Sequence, residues 1–223
     1  MPPCSQRSHL GAPVVPAGAR GLHEPVSEIV PPLRLLLERS TGRLDGAERR
    51  YEKRLSDLAG VYLDERALDA RRRDHSDPLA YSVEDFRVDA PGSLVVGTTA
   101  LEPGVVGEEY AMTRGHIHVV PSAAEIYCCV SGHGVLLMED LRGETSFLEL
   151  APDTVAYVPG GWIHRSVNVG AEPLVVLFAY EANAGQDYCI VERSRGLSSL
   201  VVVDGDGWKL VPNPRYVSRT VAG

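Results

Sequence analysis

The stretch TRGHIHVVPSAAEIY at 113–127 sets two histidines one residue apart, with a glutamate seven positions beyond the second, in a chain that has only 7 histidines. In extended backbone, alternate side chains share a face, so His116 and His118 point the same way and Ile117 the other. Two imidazoles so placed can converge on one ion. By the same alternation Glu125, Tyr127 and Cys129 share a face of the next run, AAEIYCCV. A third imidazole comes from PGGWIHRSVN at 159–168, where His164 enters another run with Ser166 and Asn168 on its parity. Three neutral nitrogens and one carboxylate suit a first-row divalent transition ion such as Fe, Mn, Ni, Co or Zn, and octahedral coordination leaves room for water or substrate. Magnesium prefers oxygen ligands throughout. A lone histidine is more often an ordinary hydrogen-bonded side chain. Four ligands in two spaced clusters, His116, His118, Glu125 and His164, point instead to a metal. His133, in the SGHG turn, reads as exposed hairpin chemistry, and His9, His23 and His75 receive no role.

Such a cluster needs a rigid frame. Beyond Leu79 the chain becomes a train of short runs rich in Val, Leu, Tyr and Thr, broken by Gly, Pro, Asn and Asp: SLVVGTTAL, EEYAMT, AAEIYCCVSG, GVLLME, SFLEL, TVAYVP, HRSVNVG, PLVVLFAY, DYCIVE, LSSLVVVDG and DGWKLVP. That spacing predicts an all-β antiparallel barrel or sandwich. Residues 28–78 read as a helical or irregular extension packed on it, with prolines opening a helix in VPPLRLLLERS and a short surface helix in DERALDARRRD. Residues 1–27 read as a disordered leader without the apolar run of a signal peptide. The barrel is expected over 79–223.

Composition excludes several function classes. Lys and Arg number 22 against 30 Asp and Glu, a formal net charge of -8, so no basic field attracts nucleic acid or an anionic membrane. No apolar run approaches the ~20 residues that span a bilayer, and no GxxxxGK[ST] or GxGxxG opens a helix. The 4 cysteines, Cys4, Cys128, Cys129 and Cys189, show neither a disulfide framework nor CxxC spacing. Cys128 and Cys129 read as small buried hydrophobes, and a reducing, cytoplasmic setting follows.

The pattern H-x-H, six residues, E, six residues, G at 116–132, followed by P-x-G-x-x-H-x-x-x-N at 159–168, resembles the two signature motifs of the cupin superfamily. Asp153 stands where the second motif usually begins with glycine, and Asp tolerates positive φ. Within cupins the chain is similar to the cupin-type glucose-6-phosphate isomerase family. The carriers are RLSDLAGVYLDERA at 54–67, GTTALEPG at 97–104, GEEYAMTRGHIHVVPSAAEIY at 107–127, YVPGGWIHRSVNVGAEPLVVLFAYEANAGQDY at 157–188 and NPRY at 213–216. The resemblance implies a cupin β-barrel (a jelly roll, or double-stranded β-helix) with short N-terminal helices. It implies His116, His118, Glu125 and His164 as ligands of one divalent transition metal, iron first among Fe, Mn, Ni, Zn and Co. It places a phosphate against Thr99, Thr113 and the Gly115 backbone, and Tyr127, Tyr180 and Tyr188 along the sugar pocket.

The reaction so implied is metal-dependent aldose-ketose isomerisation of a sugar phosphate, glucose 6-phosphate to fructose 6-phosphate or a related pair, serving glycolysis and gluconeogenesis. A proton next to a carbonyl is too weakly acidic for a carboxylate until the oxygen is polarised, which a divalent ion does. Glu125 is the candidate base with Tyr127 beside it, although a metal-bound carboxylate is a weaker base and a hydride shift would avoid the conflict. Family members often carry histidine where this chain has Gln186 and tyrosine where it has Gly161. Glutamine cannot ionise, so the substrate-binding Gln186 implies a changed substrate or a weakened isomerase. The alternatives are a cupin epimerase or oxygenase of specialised metabolism, and a non-catalytic sugar-phosphate binder. A homodimer is expected, because cupin barrels pair through sheet edges.

Overall fold

Strands dominate. The computed structural model describes residues 31–90 and 92–219, so the leader expected over 1–27 lies outside the described residues. A small hairpin of β1 (Leu36–Leu37) and β2 (Leu44–Asp45) is followed by β3 (Arg49–Arg54), α1 (Glu65–Asp74), β4 (Leu79–Arg87), β5 (Leu94–Leu101), β6 (Val105–Val106) and β7 (Glu109–Met112). Then come β8 (Glu125–Ser131), β9 (Gly134–Glu139), β10 (Thr145–Leu150), β11 (Val155–Val158), β12 (Ile163–Asn168) and β13 (Leu174–Glu181). The chain closes with α2 (Cys189–Arg193), β14 (Ser199–Asp204) and β15 (Gly207–Pro212).

Two antiparallel sheets carry the fold. One has 6 strands in the order β11-β8-β13-β5-β4-β3, the other 7, ordered β10-β9-β12-β7-β14-β15 with β6 paired to β7. Their buried faces share one apolar cluster, with Leu101, Leu174 and Val176 from the first sheet and Val135, Leu137, Ile163 and Val167 from the second. Curled sheets closing on a common core in this way make the cupin jelly roll expected from the motifs. Asp153 has φ 71, as its place in the second motif requires.

The structure departs from expectation at five points. Arg49–Arg54 is neither helical nor irregular: β3 is an edge strand, paired with β4 from Arg49↔Asp85 onward. The prolines of VPPLRLLLERS open no helix, and the segment yields β1. Helix α1 does form over DERALDARRRD; Asp64 Oδ1 accepts the Ala67 N–H at 2.9 Å, Arg71, Arg72 and Arg73 complement its C-terminal dipole, and Leu68 anchors it to the core. DYCIVE is no strand, because Asp187 Oδ1 accepts the Cys189 N–H at 2.8 Å and turns the chain into α2. The SGHG turn is no hairpin either. It carries the chain from β8 in one sheet to β9 in the other, with His133 exposed as expected. The cysteines also depart from expectation: Cys129 is a buried free thiol, but Cys128, also free, is only half-buried, and Cys189 is disulfide-bonded although the spacing of the cysteines gives no disulfide framework. Among the described residues no helix is long and apolar enough to cross a membrane.

Candidate metal centre

Backbone pairing brings the histidines together before any side chain is considered. His116 N–H donates to His164 O at 3.1 Å and His164 N–H donates to His116 O at 2.9 Å, so two residues far apart in sequence become direct neighbours. Asp187 and Ile117 exchange a second such pair, which fixes the HIH segment between β12 and the turn before α2. Glu125 opens β8 in the other sheet, opposite Tyr180 of β13 and Val158 of β11. One ligand atom from each of His116, His118, Glu125 and His164 lies within 4.8 Å of the others.

The chemistry of those atoms fits a cation. His118 Nδ1 faces Ala123 O at 3.0 Å and His164 Nδ1 faces Trp162 O at 3.0 Å. Each carbonyl takes the Nδ1 proton and leaves the Nε2 lone pair turned inward, the usual outer support of a metal-binding imidazole. Glu125 Oε2 sits 3.0 Å from His164 Nε2, 3.2 Å from His118 Nε2 and 4.0 Å from His116 Nε2. The Nε2 atoms of His116 and His118 are buried without a hydrogen-bond partner among the described residues. Lone pairs aimed at a carboxylate repel it, and a divalent ion among them turns that repulsion into coordination.

Electrostatics follow from the crowding. Burial would raise the Glu125 carboxyl, but wherever protons rather than an ion occupy the histidine Nε2 atoms, hydrogen bonds from His118 and His164 and the charge of His164 and His116 reverse this and hold it down to about 2. Burial pushes His116 well below the ordinary histidine value. His118 goes up: burial opposes its charge, but the Glu125 carboxylate and the Ala123 carbonyl outweigh that. Tyr127 is pushed far up by burial and then by the Glu125 charge, so its phenol stays protonated and can donate.

The cluster forms part of the wall of a cavity of about 310 Å³. Thr99, Thr113, Gly115, Tyr127, Tyr180, Gln186 and Tyr188, all singled out from sequence, line it together with His116 and Glu125. Thr113 Oγ1 accepts the Ser166 N–H at 3.1 Å. Gly115 has φ 81, and a Cβ there would lie 3.1 Å from Arg165 Nε and 3.2 Å from His164 O, so glycine is what lets this backbone approach β12. Tyr188 OH donates to Gln186 Oε1 at 2.6 Å and Gln186 Nε2 reaches Tyr180 OH at 3.5 Å, so Gln186 links the two tyrosines. Gly161 does not line the cavity, and a Cβ there would meet nothing within 4 Å. Asn168 is structural: fully buried, it donates to Leu101 O and Glu172 O and accepts from the Gly170 N–H, each at 2.9 Å.

Sequence reading overlooked one wall. Arg49, Tyr51, Tyr81, Asp85 and Arg87 from β3 and β4, with Arg114 from the loop before HIH, also face the cavity. The alternation in LAYSVEDFR carries the signal, since Tyr81, Val83, Asp85 and Arg87 share one parity. Nothing in the string tells which parity looks inward.

A jelly roll with three imidazoles and a carboxylate gathered at one cavity is a cupin built for a divalent metal. The family model for glucose-6-phosphate isomerase matches residues 52–218. A putative glucose-6-phosphate isomerase 2 of Rhizobium meliloti is 44% identical over 82% of this chain and 90% of its own length. The glucose-6-phosphate isomerase of Thermococcus kodakarensis is 39% identical over 83% of this chain and 96% of its own. The chain belongs to the glucose-6-phosphate isomerase family. Among solved structures, oxalate decarboxylase of Bacillus subtilis aligns with TM-score 0.40 and 22% identity over 48% of this chain and 27% of that one, a likeness too slight to add weight.

Proposed function

We propose that this protein interconverts glucose 6-phosphate and fructose 6-phosphate in the cytoplasm, as a homodimer that uses iron. The observation that carries the reading is the intact set of His116, His118, Glu125 and His164 beside a cavity also lined by Thr99, Thr113 and Gly115, in a chain of this family. A divalent ion, when bound, supplies Lewis acidity to the substrate oxygens on the two carbons that exchange hydrogen. The Thr99 and Thr113 hydroxyls and the Gly115 backbone take the phosphate without any lysine. Tyr127, protonated and beside Glu125, donates a hydrogen bond to a substrate oxygen on which charge builds. Glu125 would help to hold the metal and would move the proton, the surrounding imidazoles favouring its ionised form. Tyr180 and Tyr188, tied through Gln186, line the carbon chain. Because glutamine does not titrate, Gln186 orients these phenols and relays no proton.

A coupled assay for fructose 6-phosphate, run on protein loaded separately with Fe, Mn or Ni, tests the reading. Turnover of glucose 6-phosphate is expected, and its absence across a panel of aldose and ketose phosphates sinks it. Sedimentation at micromolar concentration checks the dimer, for which the exposed Val155 and Tyr157 of edge strand β11, next to the exposed Ile126, offer an apolar face.

A further inference from the structure

The two carboxylates of adjacent residues in β4 have different fates. Glu84 looks outward and is fully engaged, its Oε2 accepting the Leu44 N–H at 2.7 Å and its Oε1 an Arg50 guanidinium at 2.9 Å. Asp85 looks inward, onto the cavity. Its side chain is only 7% exposed, yet Oδ1 has no hydrogen-bond partner among the described residues. Two guanidinium groups flank that oxygen without bonding to it, Arg49 Nη1 at 3.8 Å and Arg87 Nε at 4.0 Å. Arg87 Nε is itself buried and unpartnered.

Separations near 4 Å are too long for hydrogen bonds, and a buried carboxylate oxygen and a buried guanidinium N–H without partners each lose the solvation they had in water with nothing in return. A group that accepts from Arg87 and donates to Asp85 relieves both. A hydroxyl does both at once without a charge; a phosphate is anionic, and the Asp85 carboxylate repels it. Register places this pair within the site. Asp85 pairs with Gly97, Gly97 with Phe178 and Phe178 with Tyr127, so a single row of inward positions runs from Asp85 to the tyrosine beside Glu125. Gly97 lets the row close up, because a Cβ there would meet Phe178 Cζ at 2.5 Å and Asp85 Cβ at 3.0 Å.

We infer that Asp85, with Arg87 and the half-exposed Arg49, is a specificity-determining subsite for a hydroxyl on the carbon chain of a polyol phosphate, on the wall of the cavity remote from the metal ligands. The inference rests on the sugar-phosphate reading of the site and adds to it a residue set that selects for hydroxylated substrates. It assigns the phosphate to the threonine cradle and leaves the arginines to the sugar.

Calorimetry on metal-loaded protein tests this with two probes, glucitol 6-phosphate and inorganic phosphate. Asp85→Ala is expected to weaken glucitol 6-phosphate by about 10-fold or more, the worth of a hydrogen bond to a charged group. Phosphate affinity and metal content should stay at wild-type values. Arg87→Met is expected to act in the same direction, and the double variant to lose less than the product of the two, because one hydroxyl serves both. Asp85→Asn, of the same size, covers the case in which the alanine variant fails to fold, and is expected to lose several-fold for glucitol 6-phosphate alone. Equal weakening of both probes, unchanged glucitol 6-phosphate binding in these variants, or no binding of it by the wild type overturns the subsite. Wild-type turnover of glucose 6-phosphate with an indifferent Asp85→Ala refutes the subsite and leaves the isomerase standing. Asp85-dependent binding without turnover does the reverse.

Discussion

Gly97→Ala is the sharpest test of the packing that brings β4 against the pocket. The new methyl would lie 2.5 Å from Phe178 Cζ and 2.6 Å from Glu84 O, about 0.8–0.9 Å inside the 3.4 Å at which ordinary contact begins. Glu84 O belongs to a neighbouring backbone held in register by Asp85↔Gly97, so it cannot retreat alone. Phe178 cannot swing freely, since its ring is buried and stacks on Tyr180 at 5.7 Å and 18°. Overpacking of this kind costs ~1–3 kcal/mol, which in a domain of this size lowers Tm by roughly 2–12 °C. Thermal unfolding of the metal-loaded variant measures the loss, with Gly207→Ala as control. A Cβ at 207 meets only Asp204 O at 3.8 Å and should leave stability within ~0.5 kcal/mol. If Gly97→Ala melts no earlier than Gly207→Ala, the row from Asp85 to Tyr127 is not packed as described.

Three further outcomes are expected. His164→Ala should lower metal affinity by more than ~100-fold, beyond the cost of losing an outer-shell partner, read by elemental analysis, and chelating the wild type should lower its Tm by roughly 5–11 °C if the ion had been present at ~100 times its Kd. Asn168→Ala should destabilise the fold by ~2–4 kcal/mol in denaturant melts, because the carbonyls of Leu101 and Glu172 lose the buried amide that bonds them both, while the Gly170 N–H keeps only His133 O. Burial pushes the Cys129 thiol up to about 11, so at pH 8 only ~0.1% is thiolate; alkylation of Cys129 should be slow in the native protein, accelerate as pH rises toward 11, and become fast at pH 8 once the chain is unfolded.

Chemistry made the metal ligands readable in the string. A metal demands particular side chains on one face at short spacing, so His116, His118 and Glu125 stand out as candidate ligands, and His164 sits in a motif that adds it to them; the structure brings one ligand atom of each within 4.8 Å of the others. The run-and-turn rhythm likewise announces strands wherever β-branched residues alternate between turn formers, as in β13. It fails where a single local bond decides. Asp187 capturing the Cys189 N–H converts DYCIVE into a helix, and the charged RRYEKR pairs as an edge strand because β4 offers it a partner. The wall of Arg49, Asp85 and Arg87 stayed hidden for a different reason. Which face of a strand looks inward is settled by the sheet it joins, and charged residues read as exterior until neighbours bury them. Gln186 shows a middle case: its inability to ionise was legible, its place between two phenols was not.

The ligands are divided between the two layers, with Glu125 in the strand group that contains β8 and β13, and His164 in the one that contains β9 and β12. An ion held there acts as a clasp on the open end of the jelly roll, so its capture reports on closure of the whole molecule and neither half by itself could retain it. Amide protons of β8 and β12, on opposite layers, would then become protected from exchange in concert when metal is added. An ion bound at this clasp would thus report on folding, since its ligands come together only once the distant walls of the cavity have met.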